Sequence, residues 1–116
     1  MRAVKLNEKL TVSDDELFEM SSLWPSSTGL AHRIWMSVNV NHRHPRPQLR
    51  VEGPNRKFYP LSLDDPVVFL AGRPAGLSTA QFKDLKRFVA VNHKVLLAHW
   101  NDKIDTAEAI RGLKHI

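Results

Sequence analysis

The sequence predicts a single α+β domain. In it, a three- or four-stranded, at least partly antiparallel sheet packs against one long C-terminal helix, with short N- and C-terminal helices. Three observations lead to this fold class. Residues 32 to 40 alternate apolar and polar, a second alternation covers residues 48 to 52, and apolar residues recur at helical spacing from residue 82 to residue 100. A chain of 116 residues with 42% hydrophobic residues can build one compact core, so we expect residues 1 to 116 to form one domain.

The N-terminal helix is predicted over residues 13 to 23. Ser13 can cap this helix, and Glu16 stands three residues later, as in a capping box. Pro25 and Gly29 disfavour continuation of the helix, so residues 24 to 30 are expected to form a loop.

Four stretches have the character of strands. Residues 32 to 40 place Ile34 and every second residue after it on one face, and residues 48 to 52 continue the same alternation. Residues 58 to 63 contain a proline, which suits an edge strand. An apolar run over residues 66 to 71 predicts a fourth, largely buried strand. The short connection between the first two strands predicts a hairpin.

The C-terminal helix has a good N-cap in Ser78. Its apolar stripe consists of Phe82, Leu85, Phe88, Val89, Leu96 and Trp100. Its basic residues fall mostly outside the stripe and are expected to form a solvated face: Lys83, Lys86, Arg87 and Lys94. Asp105 can cap a short last helix.

Composition excludes several classes of function. The chain has no cysteine, so a disulfide scaffold, a thiolate zinc site and a cysteine nucleophile are all excluded. The sequence has neither a signal-peptide pattern nor an apolar run of membrane-spanning length, which leads us to expect a cytoplasmic protein. The net charge is +5, and residues 42 to 58 hold five basic residues against Glu52 alone, so 5 − 1 gives +4 in this stretch. A local basic excess favours an anionic partner.

Two segments of the chain resemble a family of small bacterial proteins catalogued as a domain of unknown function. Residues 42 to 53 are similar to that family's His- and Pro-rich hairpin, and residues 85 to 101 to its terminal Leu-rich helix ending in Trp-Asn. Where the usual member carries Pro-His-aromatic-His, this chain has Pro47-Gln48-Leu49-Arg50. The resemblance implies a partner protein encoded nearby and a role in a bacterial toxin–antitoxin pair.

The turn over residues 42 to 50 is the candidate site. His42 and His44 are two residues apart and could point toward one metal ion, but a pair of histidines does not complete a site. They can also be solvated turn residues, which is the ordinary role of histidines in a turn, or contact an anion. Arg43, Arg46 and Arg50 lie on a proline-stiffened hairpin and could contact successive phosphates. The full candidate set for nucleic-acid or partner binding is His42, Arg43, His44, Arg46, Arg50, Arg56 and Lys57.

The leading hypothesis is a small non-catalytic binding module that contacts nucleic acid or an acidic partner protein through the 42 to 50 hairpin, with no cofactor. One alternative is a small His- or metal-dependent nuclease, with His44 and Glu52 as acid and base. Another is a structural protein that oligomerises through apolar faces.

Trp35 lies on the polar face of the first strand, where it could stack on bases or cover a second small core against the N-terminal helix.

Overall fold

The computed structural model describes residues 22–36 and 46–116. In this part of the chain, four strands form one antiparallel sheet in the order β1-β2-β3-β4. The strands are β1 (Ser22–Leu23), β2 (Ile34–Met36), β3 (Gln48–Glu52) and β4 (Phe58–Ser62). The sheet packs against one long helix, so the predicted α+β class is confirmed.

Three helices and one 3-10 turn complete the described structure. They are α1 (Pro25–Thr28), the 3-10 turn Pro54–Arg56, α2 (Thr79–Trp100) and α3 (Thr106–Gly112). Ser78 and Gln81 form the capping box of α2, in which the Ser78 hydroxyl accepts from the Gln81 amide and the Gln81 side chain accepts from the Ser78 amide. Asp105 caps α3 by accepting from the Glu108 amide. In the described part of the chain, no helix combines the length and apolar character needed to cross a bilayer.

The register of β2 and β3 sorts their side chains onto two faces. Ile34 lies opposite Val51 and Trp35 lies opposite Arg50. Because successive side chains of a strand point to opposite faces, these two pairs belong to different sides of the sheet. We call the side that carries Ile34 the core face. The other side is the outer face, formed by Arg33, Trp35, Gln48, Arg50, Glu52, Phe58 and Pro60.

Helix α2 covers the core face. The buried apolar residues on the core face of the sheet are Leu23, Ile34, Met36, Leu49, Val51 and Leu61. Those of α2 are Leu85, Phe88, Val89, Leu96 and Trp100, in agreement with the predicted stripe. The four basic residues predicted to be solvated, Lys83, Lys86, Arg87 and Lys94, are all exposed. One side of α2 is therefore apolar and buried and the other is basic and exposed, as the spacing predicts.

The C-terminal tail is held against α1 and α2. Asn92, which is buried in α2, donates to the carbonyls of Phe88 and Lys114 and accepts from the Lys114 amide. The Ile116 amide donates to the Thr28 carbonyl. Gly29, at φ 85°, approaches this tail so closely that a Cβ atom would lie 2.5 Å from the Ile116 carbonyl oxygen. The tail thus fixes α1 beside the sheet. Position 29 accepts no side chain larger than that of glycine.

Two sequence predictions are wrong at the edges of the sheet. Residues 66 to 71 do not form a strand; they make a single bridge, Phe69 to Leu61, alongside β4. The Val68 amide donates to the Ser62 hydroxyl, which diverts a backbone donor from regular pairing. The fourth strand is β1 instead. The predicted helix over residues 13 to 23 therefore cannot extend to Leu23, and residues 13 to 21 lie outside the described residues.

The other boundaries follow the sequence closely. The predicted loop over residues 24 to 30 contains one helical turn, α1, and Gly29 is its C-cap. The predicted third strand is β4, and the position of Pro60 in a strand at the end of the sheet order confirms the edge assignment. Of the strand predicted over residues 32 to 40, Ile34–Met36 is confirmed as β2, residues 32 and 33 precede the strand, and residues 37 to 40 lie outside the described residues.

Candidate nucleic-acid interface

The described basic residues of the predicted site lie within β3 and beside its two ends. Arg46 precedes β3, Arg50 lies at its centre, and Arg56 and Lys57 follow its far end. The five residues of β3 cover about 17 Å. His42, Arg43 and His44 lie outside the described residues. The described basic residues thus mark both ends and the middle of one strand, which suits an extended partner.

Arg46 is an accessible cation with a weak carboxylate partner. Its Nε lies 3.5 Å from Asp64 Oδ2, and both side chains are partly exposed. Exposed ion pairs of this kind contribute about 0.2–1 kcal/mol, because water screens the attraction and both side chains lose conformational freedom. A phosphate could therefore replace Asp64 at Arg46 at little cost.

Arg50 lies at the centre of the outer face. It is opposite Trp35 of β2 and opposite Pro60 of β4, so a strand flanks it on each side. Burial lowers the pKa of the Arg50 guanidinium by removing part of its hydration. Arginine titrates so far above neutral pH that the side chain remains a cation. The centre of the outer face therefore carries a positive charge with reduced hydration.

Arg33 is held between two tryptophan rings. Its guanidinium carbon lies 3.7 Å from the ring centroid of Trp24 and 4.3 Å from that of Trp35. Its Nη2 donates to the Ser22 hydroxyl at 2.8 Å, which ties the stack to β1. Contacts of a guanidinium with tryptophan faces contribute from about 0.5 to about 2 kcal/mol each, with the larger values at desolvated sites. Trp24 is thus fixed in place, and it remains 56% exposed.

Trp35 forms the interior of this aromatic group. It is only 4% exposed, and its indole Nε1 donates to Glu52 Oε1 at 3.3 Å. The Phe58 ring packs edge-on against it, with 5.4 Å between the two ring centroids. This burial favours a small second core over an open stacking platform. The proposed partner of that core, the N-terminal helix, lies outside the described residues. Phe58, in contrast, is 41% exposed. Among the described residues on this side, Trp24 and Phe58 are therefore the large aromatic residues classed as exposed.

The described histidines and carboxylates do not gather into a metal site. Within residues 22–36 and 46–116, no group of three or more His, Asp or Glu side chains is placed to hold an ion. His99 is buried and shares a hydrogen bond with the Thr106 hydroxyl at 3.1 Å. Burial lowers the pKa of His32. Glu52, the predicted catalytic partner of His44, accepts from the Trp35 indole. The nuclease alternative gains no support from these residues.

A second basic surface lies on α2, on the opposite side of the molecule from the outer face. Its exposed cations include Lys83, Arg87 and Lys94. They occur at i, i+4 and i+11, which places them along one side of the helix. None of the large aromatic side chains exposed to solvent lies on α2, where Val91 is the exposed large hydrophobic residue. This surface therefore offers charge without aromatic stacking, and it makes a matched control for the outer face.

Sequence reasoning missed Arg33, Trp24 and Phe58. The sequence held a signal for Arg33, because it stands two residues before Trp35 and residues two apart in a strand share a face. The positions of Trp24 and Phe58 depend on α1 and on the β3–β4 register, which no local pattern specifies.

A scan against protein-family models and searches of curated proteins and of solved structures found no match to this chain. The resemblance to the small bacterial family with a His- and Pro-rich hairpin therefore stays a prediction.

Proposed function

We propose that this protein is a non-catalytic module that binds single-stranded nucleic acid through the outer face of its sheet and the adjoining 42 to 50 hairpin. The observation that carries the proposal is the exposed Trp24 ring held on the Arg33 guanidinium, on the same side of the sheet as Arg50. Aromatic rings supply stacking surfaces for bases, and nearby cations attract the phosphate backbone.

The Trp24 ring meets the requirements of a base-stacking surface. Arg33 occupies one ring face, and the exposure of more than half of the residue leaves room for a base. A ring that is already fixed loses little conformational freedom when a base stacks on it. Phe58 provides a second exposed ring beyond Trp35. Stacking requires unpaired bases, so this arrangement favours a single strand over a duplex.

In this proposal, the hairpin arginines add cations to those of the outer face. β2 and β3 are antiparallel neighbours, so the connection between them leaves one end of the sheet. Arg46 stands at this end, two residues before β3. A strand of nucleic acid lying along β3 would pass the stacked rings and the hairpin arginines in turn.

An acidic partner protein is the competing occupant of this surface. Exposed tryptophan and phenylalanine rings beside arginines favour nucleic acid, because stacking uses the rings while the guanidinium groups meet the phosphates. The resemblance adds a biological setting, one component of a toxin–antitoxin-like pair, which is likewise a proposal. Purification of the tagged protein from its native cells, followed by separate digestion with nuclease and with protease, tells the two occupants apart.

The proposal is tested by removing the hairpin charges from the full-length protein. The variant Arg43→Gln/Arg46→Gln/Arg50→Gln removes three cations from the proposed interface. The matched control, Lys83→Gln/Arg87→Gln/Lys94→Gln, removes three from α2. Affinity for a fluorescein-labelled single strand of about 12 nucleotides is measured by anisotropy between about 50 and about 200 mM salt.

We expect the hairpin variant to reduce the slope of log affinity against log salt by about 2, because each lost phosphate contact removes about 0.7. The α2 variant should keep most of the wild-type slope. Circular dichroism confirms the fold of each protein. Equal slopes for the two variants would contradict an interface on the outer face and hairpin.

A further inference from the structure

Glu52 places a carboxylate among the cations and rings of the outer face. Among the described residues that form this face, it is the only acidic one. It ends β3 directly opposite Phe58 of β4, and on the other side its amide donates to the carbonyl of Arg33. Phe58 is itself an exposed ring, and Arg33 holds the exposed ring of Trp24. Glu52 therefore lies on the strand between the supports of the two exposed rings.

The orientation of the Glu52 carboxylate is fixed through one of its oxygens. Oε1 accepts from the indole Nε1 of the buried Trp35 at 3.3 Å. Among the described residues, no group donates to Oε2, and the side chain is half-buried. An ionised carboxylate has about four acceptor sites, so one indole donor leaves most of them unused. The group can therefore accept further N–H donors from a ligand without giving up its contact to Trp35.

A carboxylate at this position selects which part of a nucleic acid lies beside it. It repels phosphates, so a bound strand would present a base to Glu52 rather than its backbone. Unpaired bases offer their Watson–Crick edges for hydrogen bonding. On this edge guanine has two adjacent donors, N1–H and the 2-amino group, whereas adenine and cytosine each place one amino group beside a ring-nitrogen acceptor. Thymine and uracil place one N–H between two carbonyls. Because a carboxylate only accepts, guanine is the base that complements it.

We propose that Glu52 makes the outer face selective for guanine. A guanine stacked on the Phe58 ring donates from N1 and from its 2-amino group to the Glu52 carboxylate. Residues directly opposite each other on antiparallel strands have Cβ atoms about 4.5–5.5 Å apart, which brings the carboxylate within reach of such a base. This selectivity rests on the proposed function: the cations and rings hold any single strand, and Glu52 determines which base is preferred.

The selectivity is tested with labelled strands of about 12 thymidines in which the central base is thymine, guanine, hypoxanthine or adenine. Hypoxanthine is guanine without the 2-amino group, so it separates the carboxylate contact from the stronger stacking of a purine. We expect the wild-type protein to bind the guanine strand at least about fivefold more tightly than the adenine strand, the lower end of the discrimination given by a bidentate contact. The hypoxanthine strand should lie between them.

Glu52→Gln is the informative variant, because glutamine keeps an oxygen for the Trp35 indole but puts a donor in place of the second acceptor. It should bring the affinities for guanine and adenine together, while binding to the all-thymine strand stays equal or becomes tighter as a negative charge is removed. The matched control, Glu108→Gln on α3, is exposed and should keep the wild-type preference.

The possible failures of this experiment are distinct. Equal wild-type affinities for guanine and adenine, or a guanine preference that persists in Glu52→Gln, would overturn the selectivity and leave the proposed function standing. A uniform loss of affinity for all four strands in Glu52→Gln would show that Glu52 only supports the fold of the face, which also overturns the selectivity. Absence of wild-type binding to every strand would overturn the proposed function and the selectivity with it.

Discussion

The two faces of the sheet are built from the same strands but have opposite chemistry. On the core face, Ile34 and Val51 are fully buried beneath α2. On the outer face, their neighbours Trp35 and Arg50 pair an aromatic ring with a cation. Burial of hydrocarbon stabilises the fold wherever it occurs, whereas a buried guanidinium loses hydration and gives little stability in return. The alternation in each strand therefore places residues that stabilise the fold on one face and residues suited to binding a partner on the other.

The largest expected difference between the faces is in stability. Phe88→Ala, which empties a buried position against the core face, should lower the free energy of unfolding by about 3–5 kcal/mol. Phe58→Ala removes a partly exposed ring of the outer face, and it should lower the free energy of unfolding by less than half as much. Urea unfolding of both variants measures the comparison. Equal losses would mean that the outer face is a structural core of the same importance.

Arg33→Ala is expected to have an intermediate effect on stability. It removes the stacking on Trp24 and Trp35 and the hydrogen bond to Ser22, for a loss of about 1–3 kcal/mol. Arg33→Lys should recover only part of the loss, because an ammonium group lacks the planar stacking surface. Urea unfolding measures both variants, and full recovery by lysine would show that charge alone accounts for the effect.

The smallest expected effect concerns pH. Burial lowers the pKa of His32 below its ordinary value of 6.5, so the unfolded chain binds a proton more readily than the folded chain. The contribution of His32 to stability is therefore fully present above about pH 6.5 and declines as the pH falls toward the folded pKa. His32→Gln should flatten this part of the curve of unfolding free energy against pH. A wild-type slope in this variant, or an equal flattening in the exposed control His93→Gln, would contradict the assignment.

Much of the fold could be predicted from local patterns. The alternation around Trp35 and the cap at Ser78 identify β2 and the start of α2, because each depends on residues close in sequence. The fourth strand could not be found in this way. Ser22–Leu23 is too short for a periodic signal, and its pairing with β2 depends on the packing of α1 and the C-terminal tail.

The candidate site was only partly predictable. The basic residues in and around β3 stand out by charge, but the position of Arg50 between β2 and β4 is visible only in the register of β3. Arg33 was missed because its role depends on Trp24, which comes from a loop nine residues earlier. Contacts between a loop and a strand are set by tertiary packing, which has no local sequence period.

The most direct test of the outer face as a nucleic-acid surface is the affinity of Trp24→Ala for the single strand of about 12 nucleotides. Trp24 is more than half exposed, so its removal should leave the fold intact. Loss of one base-stacking contact should weaken binding by about 1–3 kcal/mol, or roughly 5- to 150-fold, whereas the α2 control Val91→Ala should bind as the wild type does. An unchanged Kd for Trp24→Ala, with wild-type binding intact, would contradict the proposed interface.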